Sequence, residues 1–331
     1  MIDGHGDDLF RYEGIRMNFS SNIYGHADLS ALYDHLRCRM GVIGSYPEPS
    51  ARSLEVLLAD HYGVRADEVM VTSGATDAIW LVAQAFRHLH TFRVLAPTFS
   101  EYEDACRAFG YQESDTAALC WLCNPNNPTG QVRDDEEVMA LAGRHEWLVT
   151  DQSYEDYTLA PVMTAREALR HGHIVQIRSM TKEYAVPGLR LGFIIAPAAV
   201  VDTLRGQYRP WAVNALALEA GKWLLREGCK AIPDLPAYLA EAQRLCGRLR
   251  AVDGIEVTDT QTNFMLCRLS HSPAAALKDH LAREKGMLIR DASNIRGLST
   301  RHFRVTAQLP EENDALADAV SEYMEDLGHG H

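Results

Sequence analysis

Between residues 69 and 196, strand-like and helix-like segments alternate regularly, and this restricts the fold more than any other feature of the chain. EVMVTS, FRVLAP, ALCWLCNP, EWLVTD, IVQIRS and LGFIIA are short apolar runs of strand length. Among them stand ATDAIWLVAQAFRHL, SEYEDACRAFG and DDEEVMALAGRH, whose apolar residues recur at helical spacing. Short connections between alternating elements imply a mostly parallel sheet with helices on both faces. Ahead of it, 28–40 and 51–62 read as helices, the second stopped by Gly63. Beyond about residue 210 the texture changes to two long helices, in NALALEAGKWLLREG and PAYLAEAQRLCGRLRAV, and the short strands IEVTD, NFMLCRL and HFRVTAQ. The expected fold class is therefore α/β, a mostly parallel central sheet in a large domain plus a smaller α+β domain that the N-terminal segment joins.

A length of 331 residues suffices for such a pair of domains. Lys and Arg total 32 against 45 Asp and Glu, a net charge of −13, which argues against non-specific binding to nucleic acid or anionic membrane. A locally basic pocket remains compatible with that balance, and the arginines between 290 and 304 could build one. No apolar run approaches the roughly 20 residues that a membrane span needs. The opening MIDGHGDDLFRYEG is polar and acidic, unlike a signal peptide. Seven scattered cysteines fit a reducing compartment, so a cytoplasmic location is expected. Cys120 and Cys123 form a C-x-x-C, but on a strand and with no second pair, so packing is a better reading than zinc or redox chemistry. The histidines at 88–90, at 171–173 and at the C-terminus lack an HExxH frame and read as solvated loops. No metal site is expected.

In a parallel sheet, ligands gather at the carboxyl ends of the strands. Gly74-Ala75-Thr76, Pro97-Thr98-Phe99, Asn124 to Gly130, Asp151 to Tyr154 and Ser179 to Lys182 all fall there. A lysine after a buried strand can form a Schiff base with an aldehyde. Taken alone, Lys182 would read better as a structural lysine paired with a carboxylate. Its neighbours change that balance. A strand, then Ser73 and Gly74, then a helix N-terminus makes an anion cup, to which Ser179, Thr181 and Arg190 can add donors. Asp151 ends a buried strand, where a carboxylate needs a cationic partner such as a protonated pyridine nitrogen, unless it merely caps a loop. Tyr154 and Asn127 could bond a phenolic oxygen on the same ring, and Phe99 could stack on its face or simply pack in the core.

NPNNPTG, DQSY, SMTK and PGLRLG, in this order and spacing, resemble the fold-type-I pyridoxal-phosphate enzymes, the aminotransferase class I/II superfamily. The resemblance implies pyridoxal 5'-phosphate as cofactor, Lys182 as the residue that carries it and Asp151 on its ring nitrogen. It implies Asn127 and Tyr154 near the ring oxygen, with Gly74, Ala75, Thr76, Ser179 and Arg190 at the phosphate. In such enzymes a tyrosine of the neighbouring subunit also reaches the phosphate, and Tyr46 in SYPEPSA matches it, which implies a homodimer with a shared active site. The implied organisation is an N-terminal arm and part of the small domain over 1–35, a large cofactor-binding domain over 36–215 and a small α+β domain over 216–331.

Within the superfamily, nearly the whole chain resembles two groups, the threonine-phosphate decarboxylases and the histidinol-phosphate aminotransferases. Both act on amino compounds carrying a phosphate. Arg290 in MLIRDASN and Arg304 in HFRVTAQ would serve as separate forks for a phosphate and a carboxylate. Arg296 and Arg301 read instead as surface arginines in salt bridges. HGDD, MNFSSNIYG, RPWAVNALAL and the length from Arg290 to Arg304 are similar to the decarboxylase pattern. That likeness makes His5 and Asn22 candidates to touch substrate, although His5 could equally lie in a flexible tail. The implied function is decarboxylation of L-threonine O-3-phosphate to (R)-1-amino-2-propanol phosphate, a step of cobalamin side-chain synthesis. The alternative is an aminotransferase acting on histidinol phosphate or another amino acid. Decarboxylation and transamination differ by a rotation about one substrate bond, which no motif encodes. A non-enzymatic effector module of a DNA-binding regulator is disfavoured, because fewer than 17 residues precede the matched region and the charge is negative. One departure stands out: between FGYQESD and AALCWLCNP the chain is much shorter than in either group.

Overall fold

The computed structural model describes residues 8–228 and 230–329, and the elements given below are those of the described residues. β1 (Met17–Asn18) is followed by α1 (Ser30–Arg39) and α2 (Arg52–Tyr62). Gly63 ends α2 as the sequence suggests, turning left-handed at φ 63° and donating its N–H to the Asp60 carbonyl. The alternating region then unfolds as β2 (Val69–Thr72), α3 (Ala75–Ala85), β3 (Thr91–Val94), α4 (Glu101–Ala108) and β4 (Gln112–Glu113). It continues through β5 (Leu119–Cys123), α5 (Asp135–Ala142), β6 (Trp147–Asp151), α6 (Ala165–His171), β7 (Ile174–Ser179), α7 (Met180–Glu183), β8 (Gly192–Ile195) and α8 (Ala198–Arg205).

These strands form one seven-stranded sheet in the order β2-β8-β7-β6-β5-β3-β4. β7, β6, β5, β3 and β4 run parallel, and β8 lies antiparallel to both of its neighbours. Every residue of β2, β5 and β8 is buried, as expected of strands covered on both faces. On one face Ile79, Phe92, Tyr102 and Trp121 pack with α3 and α4; on the other, Leu54, Leu58, Phe193 and Leu218 pack with α2 and α9 (Ala215–Glu227). α5 and α6 each start on a reciprocal capping pair, Asp134 with Glu137 and Thr164 with Glu167, which satisfies backbone donors that the helix cannot.

The remaining chain is α10 (Leu235–Arg250), β9 (Ile255–Val257), β10 (Phe264–Leu269), α11 (Ala274–His280), β11 (Met287–Leu288), β12 (Arg290–Asp291), β13 (His302–Thr306) and α12 (Pro310–His329). Its four-stranded antiparallel sheet, β12-β13-β10-β9, has its own core of Phe303, Val305, Leu245, Leu249, Leu316 and Val320. The N-terminal segment belongs with this part, since β1 pairs in parallel with β11 and Phe19 is buried in the same core.

A tight backbone crossing ties the large sheet to the start of α3. A Cβ built on Gly192 would lie 2.5 Å from the Ala75 nitrogen and 2.5 Å from the Gly74 carbonyl carbon. Both contacts are with backbone, which has no rotamer to move. Gly192→Ala should therefore push β8 away from the first turn of α3 and destabilise the protein by about 2 kcal/mol. Thermal unfolding of the variant checks this; an unchanged midpoint would mean that the two backbones can separate freely.

Candidate active site

The carboxyl ends of β5, β6 and β7 and the amino end of α3 meet around one cavity of about 530 Å3. β7 delivers the lysine. Ser179 is the last residue of the strand and starts α7, which presents Lys182 to the cavity wall beside it. The Lys182 Nζ stands 5.6 Å from the centroid of the Tyr154 ring. The short helix is anchored from below, because the Lys182 carbonyl accepts the Tyr157 hydroxyl at 2.9 Å.

β6 delivers Asp151 as its final residue, buried in the cavity floor. One carboxylate oxygen accepts the Ser153 backbone N–H at 2.9 Å, and the other accepts the Tyr102 hydroxyl at 2.8 Å. Burial pushes this carboxyl above its ordinary range, while those hydrogen bonds and the Lys182 charge pull it the other way. The balance favours a cation placed in the cavity against Asp151.

The third cluster surrounds Tyr154. Its hydroxyl accepts the Asn22 side-chain N–H at 3.2 Å, and the Thr306 hydroxyl donates to the Asn22 carbonyl oxygen at 3.0 Å. Burial pushes the Tyr154 phenol up to about 12. Arg304 donates from Nη1 to Asn127 at 2.6 Å and from Nη2 to the Ser20 carbonyl at 2.7 Å; burial pulls its guanidinium down to about 10. Arg290 is its register partner across β12 and β13, so both guanidinium groups line the same cavity. Arg290 donates to Asn294 at 3.0 Å, and burial lowers its pKa against the charges of Asp8 and Asp291.

α3 supplies the anion cup. Gly74 caps it at φ 90°, Ala75 and Thr76 line the cavity, and the Arg190 guanidinium lies over the cap. The φ of 90° favours glycine at Gly74, and a Cβ there, 2.6 Å from Arg190 Nη2, would push the guanidinium off the cap. Phe99 lines the opposite wall, edge-on to Tyr102 with ring centroids 5.8 Å apart.

Thirteen of the candidate site residues singled out in the sequence thus line one space: Asn22, Ala75, Thr76, Phe99, Asn127, Asp151, Tyr154, Ser179, Thr181, Lys182, Arg190, Arg290 and Arg304. Gly74 adjoins it. Tyr46 does not reach it; its side chain is 86 % exposed and leans on Trp211, with centroids 5.4 Å apart. His5 lies outside the described residues. Tyr102, Ser20, Asn294 and Gly192 escape the sequence reading. Tyr102 looks like one more apolar position of an amphipathic helix, and only the fold turns its hydroxyl onto Asp151. Cys120 and Cys123 are buried thiols, each pushed up to about 12 by burial.

This donor set fits pyridoxal phosphate. Lys182 offers an amine for its aldehyde, Asp151 a buried anion for its ring nitrogen, and Tyr154 and Asn127 polar groups for its ring oxygen. The amino end of α3, with Arg190, suits its phosphate. The aminotransferase class I and II family model matches residues 15–115 and 111–320. A solved L-threonine-O-3-phosphate decarboxylase from Porphyromonas gingivalis superposes with a TM-score of 0.90 at 34% identity, covering 94% of this chain and 100% of that one. A threonine-phosphate decarboxylase of Salmonella typhimurium is 28% identical over 88% of this chain and 85% of its own length. A histidinol-phosphate aminotransferase of Thiobacillus denitrificans is 30% identical over 84% of this chain and 78% of its own.

Proposed function

The chain belongs to the aminotransferase class I and II family and uses pyridoxal 5'-phosphate, and from that premise we propose that it decarboxylates L-threonine O-3-phosphate to (R)-1-amino-2-propanol phosphate. The observation that carries this reading is the Arg290–Arg304 pair, two guanidinium groups fixed on neighbouring strands and facing one cavity. A small substrate with an anion at each end matches two such forks. The likeness to the Porphyromonas gingivalis decarboxylase supports the choice of reaction, and we propose the cobalamin side chain as the destination of the product.

The cofactor, when bound, supplies an electron sink for the pair released when a bond to the substrate Cα breaks. Asp151 keeps a proton on the ring nitrogen, and Tyr102 and the Ser153 N–H hold Asp151 in place for that task. Arg304, steered by Asn127 and the Ser20 carbonyl, grips the substrate carboxylate. Arg290, steered by Asn294, takes the substrate phosphate. Held at both ends, the substrate cannot rotate about its Cα bonds, and the residues thereby choose which bond breaks. Lys182 Nζ delivers a proton to Cα after carbon dioxide leaves.

The test is to mix the purified protein with threonine phosphate and measure carbon dioxide, which is expected in step with substrate loss. Histidinol phosphate converting the cofactor to pyridoxamine phosphate, with no carbon dioxide from threonine phosphate, would overturn the decarboxylase reading. It would favour the transferase that the Thiobacillus denitrificans relative represents. Arg304→Gln should lower kcat/KM about 10^3-fold, the scale for removing one partner of a buried charged contact, and leave the cofactor's visible absorbance intact. Loss of that absorbance in the variant would place Arg304 at the cofactor instead.

A homodimer with a shared site completes the proposal. Exposed Met40, Ile43, Tyr46 and Trp211 supply apolar surface around the segment that would carry Tyr46 to a neighbour's phosphate cup. A cytoplasmic location agrees with unpaired cysteines and with the finding that no helix of the described residues is long and apolar enough to cross a membrane. We place the division between the two domains after α9, which packs on the large sheet's helices, rather than at residue 215.

A further inference from the structure

The loop after β12 closes over the cavity from the four-stranded side. Asn294 and Ile295 form part of the cavity wall, and Asn294 steers Arg290. Opposite them stand Phe99, Ser100 and Glu101 at the start of α4. The next residue of the loop, Arg296, crosses between the two sides. Its Nη1 and Nη2 bond the two carboxylate oxygens of Glu113, each at 2.7 Å, and its Nε lies 3.1 Å from Glu103. Glu113 belongs to β4, the edge strand of the large sheet, and Glu103 to α4. Arg107 closes the network, 2.8 Å from Glu103 and 3.6 Å from Glu113.

Exposed ion pairs usually contribute little, but a two-pronged arginine–carboxylate contact within a network is the exception. Arg296 draws the Glu113 carboxyl below its usual range, and Glu113 in turn raises the guanidinium. β4 is two residues long and only residues 114–118 separate it from β5, so Glu113 sits at the rim of the sheet. The loop has apolar footing as well, through Ile295 and Leu298 on Leu266. Toward the large sheet the loop also passes close to Ala96 and Pro97, where a Cβ on Gly297 would lie 3.8 Å from each, an approach that carries no ion pair.

We propose that Arg296 is a positioning residue that latches the cavity-covering loop 292–298 onto Glu113 and Glu103 of the large sheet, and so sets how firmly substrate is enclosed. Arg296 does not line the cavity. It acts through Arg290, Asn294 and Ile295. Its effect on KM rests on the decarboxylase reading above, whereas its effect on the loop does not.

The experiment uses the holoenzyme with two readouts. Amide hydrogen exchange of a peptide covering 292–298 should speed up about tenfold in Arg296→Ala, with residues 264–269 of β10 unchanged as the internal reference. KM for threonine phosphate should rise about tenfold while kcat changes by less than about threefold, the pattern of lost enclosure rather than lost chemistry. Arg296→Lys should restore part of both. Glu113→Gln should act in the same direction, and the Arg296→Ala, Glu113→Gln double variant should be no worse than Arg296→Ala alone, because both remove one interaction. Unchanged exchange at 292–298, an unmoved KM, or additive single effects would each overturn the latch. If the wild type releases no carbon dioxide, the proposed substrate fails, and the exchange readout decides the latch by itself.

Discussion

Lys182→Ala is expected to abolish the visible absorbance of the protein-bound cofactor and to lower kcat by at least about 10^4-fold, because one side chain both tethers the cofactor and moves the proton at Cα. Borohydride should fix the cofactor covalently to the peptide containing Lys182 in the wild type and to no peptide in the variant. The geometry argues for this lysine in particular. It stands on the first turn after β7, against the Tyr154 ring and close enough to Asp151 for its charge to act on that carboxyl. The fold should survive the change, since the Lys182 carbonyl that accepts the Tyr157 hydroxyl and fastens α7 is kept in the variant. Reduction that labels a different lysine, or a variant that still turns over, would remove the premise on which the whole site assignment rests.

What the sequence makes legible follows from how local each signal is. Alternating apolar runs announce the parallel sheet, and glycines at Gly63 and Gly74 mark a helix end and a helix start that the structure shows at those places. The cavity residues fall at strand ends, and strand ends are readable from a sequence. Contacts between distant segments are not. Tyr102 meets Asp151 across 49 residues, and Arg304 reaches the Ser20 carbonyl across 284. Nothing in either neighbourhood advertises its partner. α12 illustrates a different failure: its run PEENDALADAVSEYMEDL is so acidic that its apolar stripe is diluted, yet Leu316, Ala317 and Val320 of that stripe are buried in the second core. Arg296 reads as a surface arginine in salt bridges, as the structure has it, but its partners, Glu103 and Glu113, lie almost two hundred residues upstream and are not legible.

Asp151→Asn should separate catalysis from stability. Asparagine keeps the shape of the side chain, can still accept the Ser153 N–H, and cannot hold a proton on a ring nitrogen. The kcat is expected to fall on the order of 10^3-fold, the scale of removing one preorganised electrostatic partner. The cofactor-free protein should respond in the opposite sense. Burial raises the Asp151 carboxyl above its unfolded value, so between the ordinary carboxylate range near 4 and the raised folded value the native state holds the extra proton. Stability from this group is therefore greatest at the acid end of that window and is lost as pH rises through the folded value. Once the pH exceeds the folded value, the cofactor-free wild type carries the cost of an ionised, buried carboxylate, and the asparagine variant does not. Thermal unfolding of the two cofactor-free proteins should show the variant's midpoint gaining on that of the wild type as pH rises from about 4 through the folded value. A variant that is both inactive and less stable by the same margin throughout that range would show that Asp151 holds the fold together through Tyr102 and Ser153, and its lost activity would then say nothing about the ring nitrogen.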